Sequence, residues 1–136
     1  MEKLTERKQA LEKALQTLEK SLKRLECKEY HDYEEIRDSI IQRFEYCTDI
    51  FWKCLKDYLQ AIKSITIEPA RPKIIFKECY ESMVISKDEH MLCIALIEDR
   101  NLTSHSYNEK LAEEIIALIP RYFALMKLIT HRLSVS

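Results

Sequence analysis

No glycine occurs anywhere in the 136 residues of this chain. Tight hairpins, phosphate-cradling loops and nucleophile elbows depend on Gly for positive φ or for close backbone approach. A P-loop, a dinucleotide fingerprint and a compact β-barrel are therefore poor fits, whereas helices need no Gly in their interiors. The hydrophobic fraction of 46% is that of a globular protein rather than a disordered one. The length suits one core and not two, so residues 1–136 are expected to form a single all-α domain.

Hydrophobic spacing divides that domain into helices. From Lys3 to Glu26 the leucines fall at Leu4, Leu11, Leu15, Leu18, Leu22 and Leu25, one stripe of an amphipathic helix. The polar segment C-K-E-Y-H-D then turns the chain. A second stripe, from Tyr33 to about Lys63, runs Ile40, Phe44, Cys47, Phe51, Cys54 and Tyr58, flanked by Ile36, Ile41, Leu55 and Leu59. Two helices of similar length with a short link predict an antiparallel hairpin. Pro69 and Pro72 end that unit, and residues 72–82 read as a shorter helix with Pro72 at its start. Asp88 or Ser86 can cap a fourth helix. The last begins near Asn108 and carries Leu111, Ile115, Leu118, Tyr122, Leu125 and Ile129, with a kink expected at Pro120. The result is an up-and-down bundle of four to five helices. Its first two stripes outrun what the remaining chain covers, which predicts a homodimer.

Charge and cysteine narrow the chemistry. Twenty-two Lys+Arg against 23 Asp+Glu leave a net charge of −1, so no global field draws the chain to nucleic acid or membrane. Cys27, Cys47, Cys54, Cys79 and Cys93 form no C-x-x-C pair and no spacing matched to His. Neither a disulfide framework nor a zinc site is expected, and no other metal or cofactor. The opening residues MEKLTERKQALEK are polar, so neither a signal peptide nor a membrane span is expected and the location reads as cytoplasmic.

The segment that can carry chemistry is E-D-R-N-L-T-S-H-S-Y, residues 98–107, where the apolar run of the fourth helix stops. Ser106 or Asn108 can start the next helix, so this polar stretch is a helix junction. On one continuous helix Arg100 and His105 would stand about 140° apart. A break near Leu102–Ser104 lets both turn toward one space, with Tyr107 at its rim. An Arg, a His and hydroxyls are the parts for metal-independent phosphodiester cleavage. An imidazole exchanges protons near neutral pH, and a guanidinium matches phosphate oxygens with two parallel donors. Asn101, Thr103 or Ser104 can hold a ribose or phosphate oxygen. One chain supplies one His, so a complete site would need two copies face to face. The same residues also suit a plain helix junction, with Arg100 paired to Glu98 or Asp99 and His105 as a cap.

R-N-L-T-S-H-S-Y, preceded by M-L-C-I-A-L-I-E-D and followed by N-E-K-L-A-E-E-I, resembles the HEPN superfamily. Within it the chain is similar to the HepT-like, nucleotidyltransferase substrate-binding group. The runs D-S-I-I-Q-R-F-E-Y-C-T-D-I-F-W-K-C-L-K-D-Y-L and P-K-I-I-F-K-E-C-Y-E-S-M-V-I resemble that group's second and third helices. The chain departs from the pattern near Ser82–Met83, where a Gly is expected. The resemblance implies a homodimeric bundle working with a minimal nucleotidyltransferase of the MNT type. Arg100 and His105 match the R-x-x-x-x-H motif of a ribonuclease site formed across a dimer. Tyr107 matches the tyrosine that the partner modifies with AMP, taken from ATP, to silence a toxin.

Two readings follow from that resemblance. One is a metal-independent ribonuclease toxin, acting on RNA and held in check by AMP on Tyr107. The other is a non-catalytic nucleotide- or substrate-binding subunit of a two-component nucleotidyltransferase. A bare helical dimerisation protein without a ligand is a third. In each, Trp52 is expected in the core, Lys53 and Lys56 are candidates for a phosphate groove, and Arg43 or Glu45 for orienting the motif.

Overall fold

The computed structural model describes residues 1–26, 32–105 and 107–133. Its helices are α1 (Glu2–Glu26), α2 (Tyr33–Ile62), α3 (Pro72–Glu81), α4 (Lys87–Leu102) and α5 (Glu109–Arg132), with a 3-10 turn at Thr103–His105 before α5. No strand occurs among the described residues. Most of the C-K-E-Y-H-D link, with Cys27, lies outside the described residues, and so does Ser106.

Helix directions follow from which ends meet. Arg7 near the start of α1 donates to Asp57 near the end of α2 at 3.0 Å, while Arg43 of α2 donates to Ser21 near the end of α1. The two helices are therefore antiparallel, as their lengths and short link predict. Lys8 reaches the carbonyl of Leu133 at 2.6 Å and Lys127 meets Glu19 at 3.5 Å, so α5 also opposes α1. Arg132 pairs with Glu89, and Tyr122 donates to Asp99, which sets α4 antiparallel to α5. Thus α1 and α4 run one way, α2 and α5 the other, and short α3 bridges α2 to α4.

One core joins all five helices. Leu4, Leu11, Leu15 and Leu18 are buried with Ile40, Phe44, Phe51, Leu55 and Leu59, as the two stripes require. Phe44 stacks on Tyr122 at 5.8 Å and Phe51 meets Phe76 at 6.0 Å, tying α2 to α5 and α3. Burying a side chain of this size contributes about 1.5–3 kcal/mol against leaving it in water. Three expectations shift at the edges. Leu22 and Leu25 are only partly buried, Leu118 is exposed while Ile116 and Ile119 carry the seam of α5, and Trp52 packs at the core's margin. α5 continues as one helix through Pro120. The thiols of Cys47, Cys54 and Cys79 are buried, and burial pushes each up to about 12, so they pack as small apolar groups.

The helix ends are set by local chemistry. Pro72 opens α3, where its missing N–H has no intrahelical partner to lose. Ser86, rather than Asp88, caps α4: its hydroxyl accepts from the Glu89 N–H at 3.1 Å, and the Glu89 carboxylate accepts from the Ser86 N–H at 2.8 Å. Asn108 caps α5 by accepting from the Leu111 N–H at 3.1 Å. At the end of α3, the N–H of Val84 reaches the Cys79 carbonyl at 2.8 Å and that of Met83 the Tyr80 carbonyl at 3.1 Å. This is a Schellman closure. It puts Met83 at φ 64°, the left-handed position where a Gly is expected by resemblance.

Candidate functional site

The junction between α4 and α5 is assembled on α2. Arg100, in the last turn of α4, points at α2 and is held there by two carboxylates. Its Nε and Nη2 donate to the two oxygens of Asp49 at 3.1 Å each, and its Nη1 donates to Glu45 at 3.2 Å. Glu45 and Asp49 are four apart and so share a face of α2. Hydrogen bonding to Asp49, more than the charge of either carboxylate, raises the Arg100 guanidinium above its ordinary range. Thr103 completes this end. Buried at 3% exposure, its hydroxyl lies 2.8 Å from Glu45 and 2.6 Å from the Arg100 carbonyl.

Beyond Thr103 the chain turns outward. His105 is exposed, and Tyr107 is 83% exposed with its ring edge-on to the imidazole at 6.2 Å between centroids. The Ser104 hydroxyl donates to the Asn101 carbonyl at 3.1 Å, so Ser104 serves the turn while the Asn101 side chain faces solvent. The structure therefore brings His105 and Tyr107 together and seats Arg100 against α2. Arg100 pairs with neither Glu98 nor Asp99: its donors are taken by Asp49 and Glu45, and the carboxylate of Asp99 accepts from the buried Tyr122 hydroxyl.

Of the two residues expected to orient the motif, Glu45 does so and Arg43 does not. Arg43 faces α1, where it donates to Ser21 and, at 3.4 Å, to the Thr17 carbonyl. Lys53 lies 5.9 Å from the Trp52 ring on the outside of α2, and Lys56 is half-buried. Two functional neighbours escape a reading of the sequence. Asp49 is one; the E-x-x-x-D spacing on α2 was the available signal. Arg37 is the other. Its guanidinium is 4% exposed and donates to Glu109 at 2.6 Å, to Glu113 at 3.1 Å and to Asp38 at 3.1 Å. The Glu109 hydrogen bond, first among these, drives Arg37 further above its ordinary range. Tyr33 adds a donor to Glu113 at 2.6 Å, and that bond pushes its phenol up to about 12.

A family model described as nucleotidyltransferase substrate binding protein like matches residues 6–135. The chain belongs to that family. A solved structure from Thermus thermophilus is similar over 92% of this chain and 99% of its own, at 34% identity and a TM-score of 0.80. HI0074 from Haemophilus influenzae, described as the fold of a substrate binding domain of a nucleotidyltransferase, is 20% identical. It covers 93% of this chain and 98% of its own at a TM-score of 0.80, which shows a shared fold. Among curated proteins none matches.

The family match takes in the whole α4–α5 junction and the part of α2 that supports it. Family membership makes this a helical protein of the nucleotidyltransferase substrate-binding-like kind. Among the described residues no helix is long and apolar enough to cross a membrane.

Proposed function

We propose that this chain is the substrate-binding partner of a minimal nucleotidyltransferase, and that the phenol of Tyr107 accepts an adenylyl group from ATP bound to that enzyme. The observation that carries the proposal is the contrast at the junction. Arg100 is already neutralised by Asp49 and Glu45, while Tyr107, at 83% exposure, is the aromatic hydroxyl offered to a second protein. In the transfer, the Tyr107 oxygen attacks the α-phosphorus of ATP. The bond from that phosphorus to the bridging oxygen breaks and pyrophosphate departs. The phenolic proton passes to water or to a base such as the adjacent His105 imidazole. A phosphate-bearing Tyr107 would then stand beside His105 and change the charge of the junction.

A homodimer forms part of this proposal. α4 carries exposed apolar side chains besides its core face. Cys93, Leu96 and Ile97 enter the core with Ile94 and Ala95 partly buried against it, while Met91 and Leu102 are exposed to solvent. Exposed apolar side chains on a helix invite a second copy, and Leu102 adjoins the junction itself.

The experiment is an intact-mass measurement after co-expression with the partner nucleotidyltransferase. A gain of one adenylyl group, absent in Tyr107→Phe, supports the proposal, and an unmodified chain from an active transferase refutes it. A second reading, the metal-independent ribonuclease toxin with Arg100 and His105 as its site, draws support from the exposed imidazole of His105. It requires Arg100 to exchange a carboxylate for a phosphate. Cleavage of RNA by unmodified protein in chelator, lost in His105→Ala, is its test.

A further inference from the structure

We infer that Arg37 is a positioning residue for Tyr107, fixing from α2 the end of the junction that Glu45 and Asp49 leave unheld; the inference rests on Tyr107 being the acceptor. The described part of the junction is anchored twice, and both anchors belong to α2. Upstream, Asp49 and Glu45 hold Arg100, and Glu45 also holds Thr103. Downstream, the guanidinium of Arg37 grips Glu109, the first residue of α5, and Glu113 one turn later. Arg37 and Glu45 are eight residues apart, or about 12 Å along the helix. Between the anchors lie His105 and Tyr107, and the Asn108 N–H returns to the His105 carbonyl at 3.0 Å. Where α5 starts therefore decides where Tyr107 is presented.

A stability role alone is a poor account of Arg37. Burying a guanidinium carries a desolvation penalty that ion pairing often only offsets, and apolar replacements of such pairs are commonly neutral or stabilising. What a planar fork adds is geometry. It binds carboxylates in fixed directions and so sets the register between two helices. Without it, Glu109 and Glu113, four apart on α5, repel each other with no shared counter-ion.

The test uses purified chain, partner transferase and ATP, following adenylyl transfer to Tyr107. Arg37→Gln is expected to lower kcat about tenfold or more, as small misplacements of a reacting group do. The KM for ATP should be unchanged, because the ATP site is on the other protein. Arg37→Lys keeps the charge without the fork and should recover part of the rate. Should Arg37→Gln fail to fold, the double change Glu109→Gln with Glu113→Gln removes the partners from the exposed side and is expected to lower kcat in the same direction. A folded Arg37→Gln, or the double variant, modified at the wild-type kcat overturns the inference. Failure of wild type itself to be modified refutes the acceptor reading instead. In that event amide exchange in the isolated chain decides the positioning. Residues 107–111 should exchange at least about tenfold faster in the variants with α3 unchanged, and equal rates overturn it.

Discussion

Replacing Met83 by Gly should stabilise this protein, although it deletes a side chain. Met83 sits at φ 64° in the closure that ends α3, and 90% of it is exposed. The left-handed position costs a residue with a Cβ about 1–2 kcal/mol, a cost Gly does not carry. Gly in turn loosens the unfolded chain, which costs about 0.4–1 kcal/mol. Packing loss is near zero because the side chain stands in water. The balance is a gain of about 0.5–1 kcal/mol. For 136 residues the unfolding entropy is about 0.29 kcal/mol/K, so Tm should rise about 1.7–3.4 °C. Thermal unfolding followed by circular dichroism, with urea unfolding at 25 °C beside it, resolves this. A graded series sharpens the test. Asn tolerates the left-handed region and should fall between Gly and Met, Ala should sit near Met, and Val should be worst. If Gly lowers Tm, or Val matches Gly, backbone strain at this turn is not what the residue at 83 controls.

Tyr122→Phe keeps the stacking on Phe44 but strips the Asp99 carboxylate of its hydroxyl partner, and should cost about 1.5–3 kcal/mol in urea unfolding. Glu89 accepts from both Nη atoms of Arg132 at 2.8 Å, and that pairing holds its carboxyl down from 4.5 to about 2. Because the folded value is the lower one, this contribution is complete above about pH 4.5 and disappears as pH falls toward 2. Unfolding of wild type and Glu89→Gln should therefore differ by about 1–2 kcal/mol at pH 7 and converge in acid, and a gap independent of pH contradicts the assignment. Glu45→Gln with Asp49→Asn leaves Arg100 without charged partners, so binding of a short single-stranded RNA should strengthen at low salt, and unchanged binding would mean Arg100 is not accessible to phosphate. Phe76→Ala should cost about 3–5 kcal/mol, because Phe76 is fully buried against Phe51.

What the sequence carries most clearly is periodic. The stripes of α1 and α2 are buried nearly as their spacing requires, because a wide apolar face at helical period has few other ways to leave water. Leu118 fails for a related reason: a stripe has edges, and only the neighbours decide which edge is covered. The junction was legible as a polar break with Arg100, His105 and Tyr107 in it. Its wiring was not. Asp49 and Arg37 are ordinary charged residues on an amphipathic helix, and their partners lie 51 and 72 positions away. The E-x-x-x-D spacing puts Glu45 and Asp49 on one face of α2, but no local pattern names the partner that either Asp49 or Arg37 meets. The exception is Met83, where the resemblance asks for a Gly and the φ of 64° explains why.

Charge separates the two functional readings further than motif does. The two guanidinium groups that wire the junction, Arg37 and Arg100, are met by five carboxylates, from Asp38, Glu45, Asp49, Glu109 and Glu113. Those carboxylates outnumber the two guanidinium groups, and three of them, on Asp38, Glu109 and Glu113, are well exposed to solvent. An RNA backbone brings one negative charge per nucleotide and must find compensating cations before cleavage chemistry can begin. In this chain the nearby cation of the motif is already committed to Asp49 and Glu45. A transferase, by contrast, carries its own triphosphate with its own counter-charges, and needs from this chain only a nucleophile held in place. An exposed phenol on a segment anchored at both ends meets that need with no cationic pocket at all. A ribonuclease built on the same residues must first break two ion pairs or borrow cations from a second subunit. Each of these demands sets a prediction about salt. Association with the transferase should survive physiological ionic strength, whereas any RNA binding by this face should already be weak at low salt.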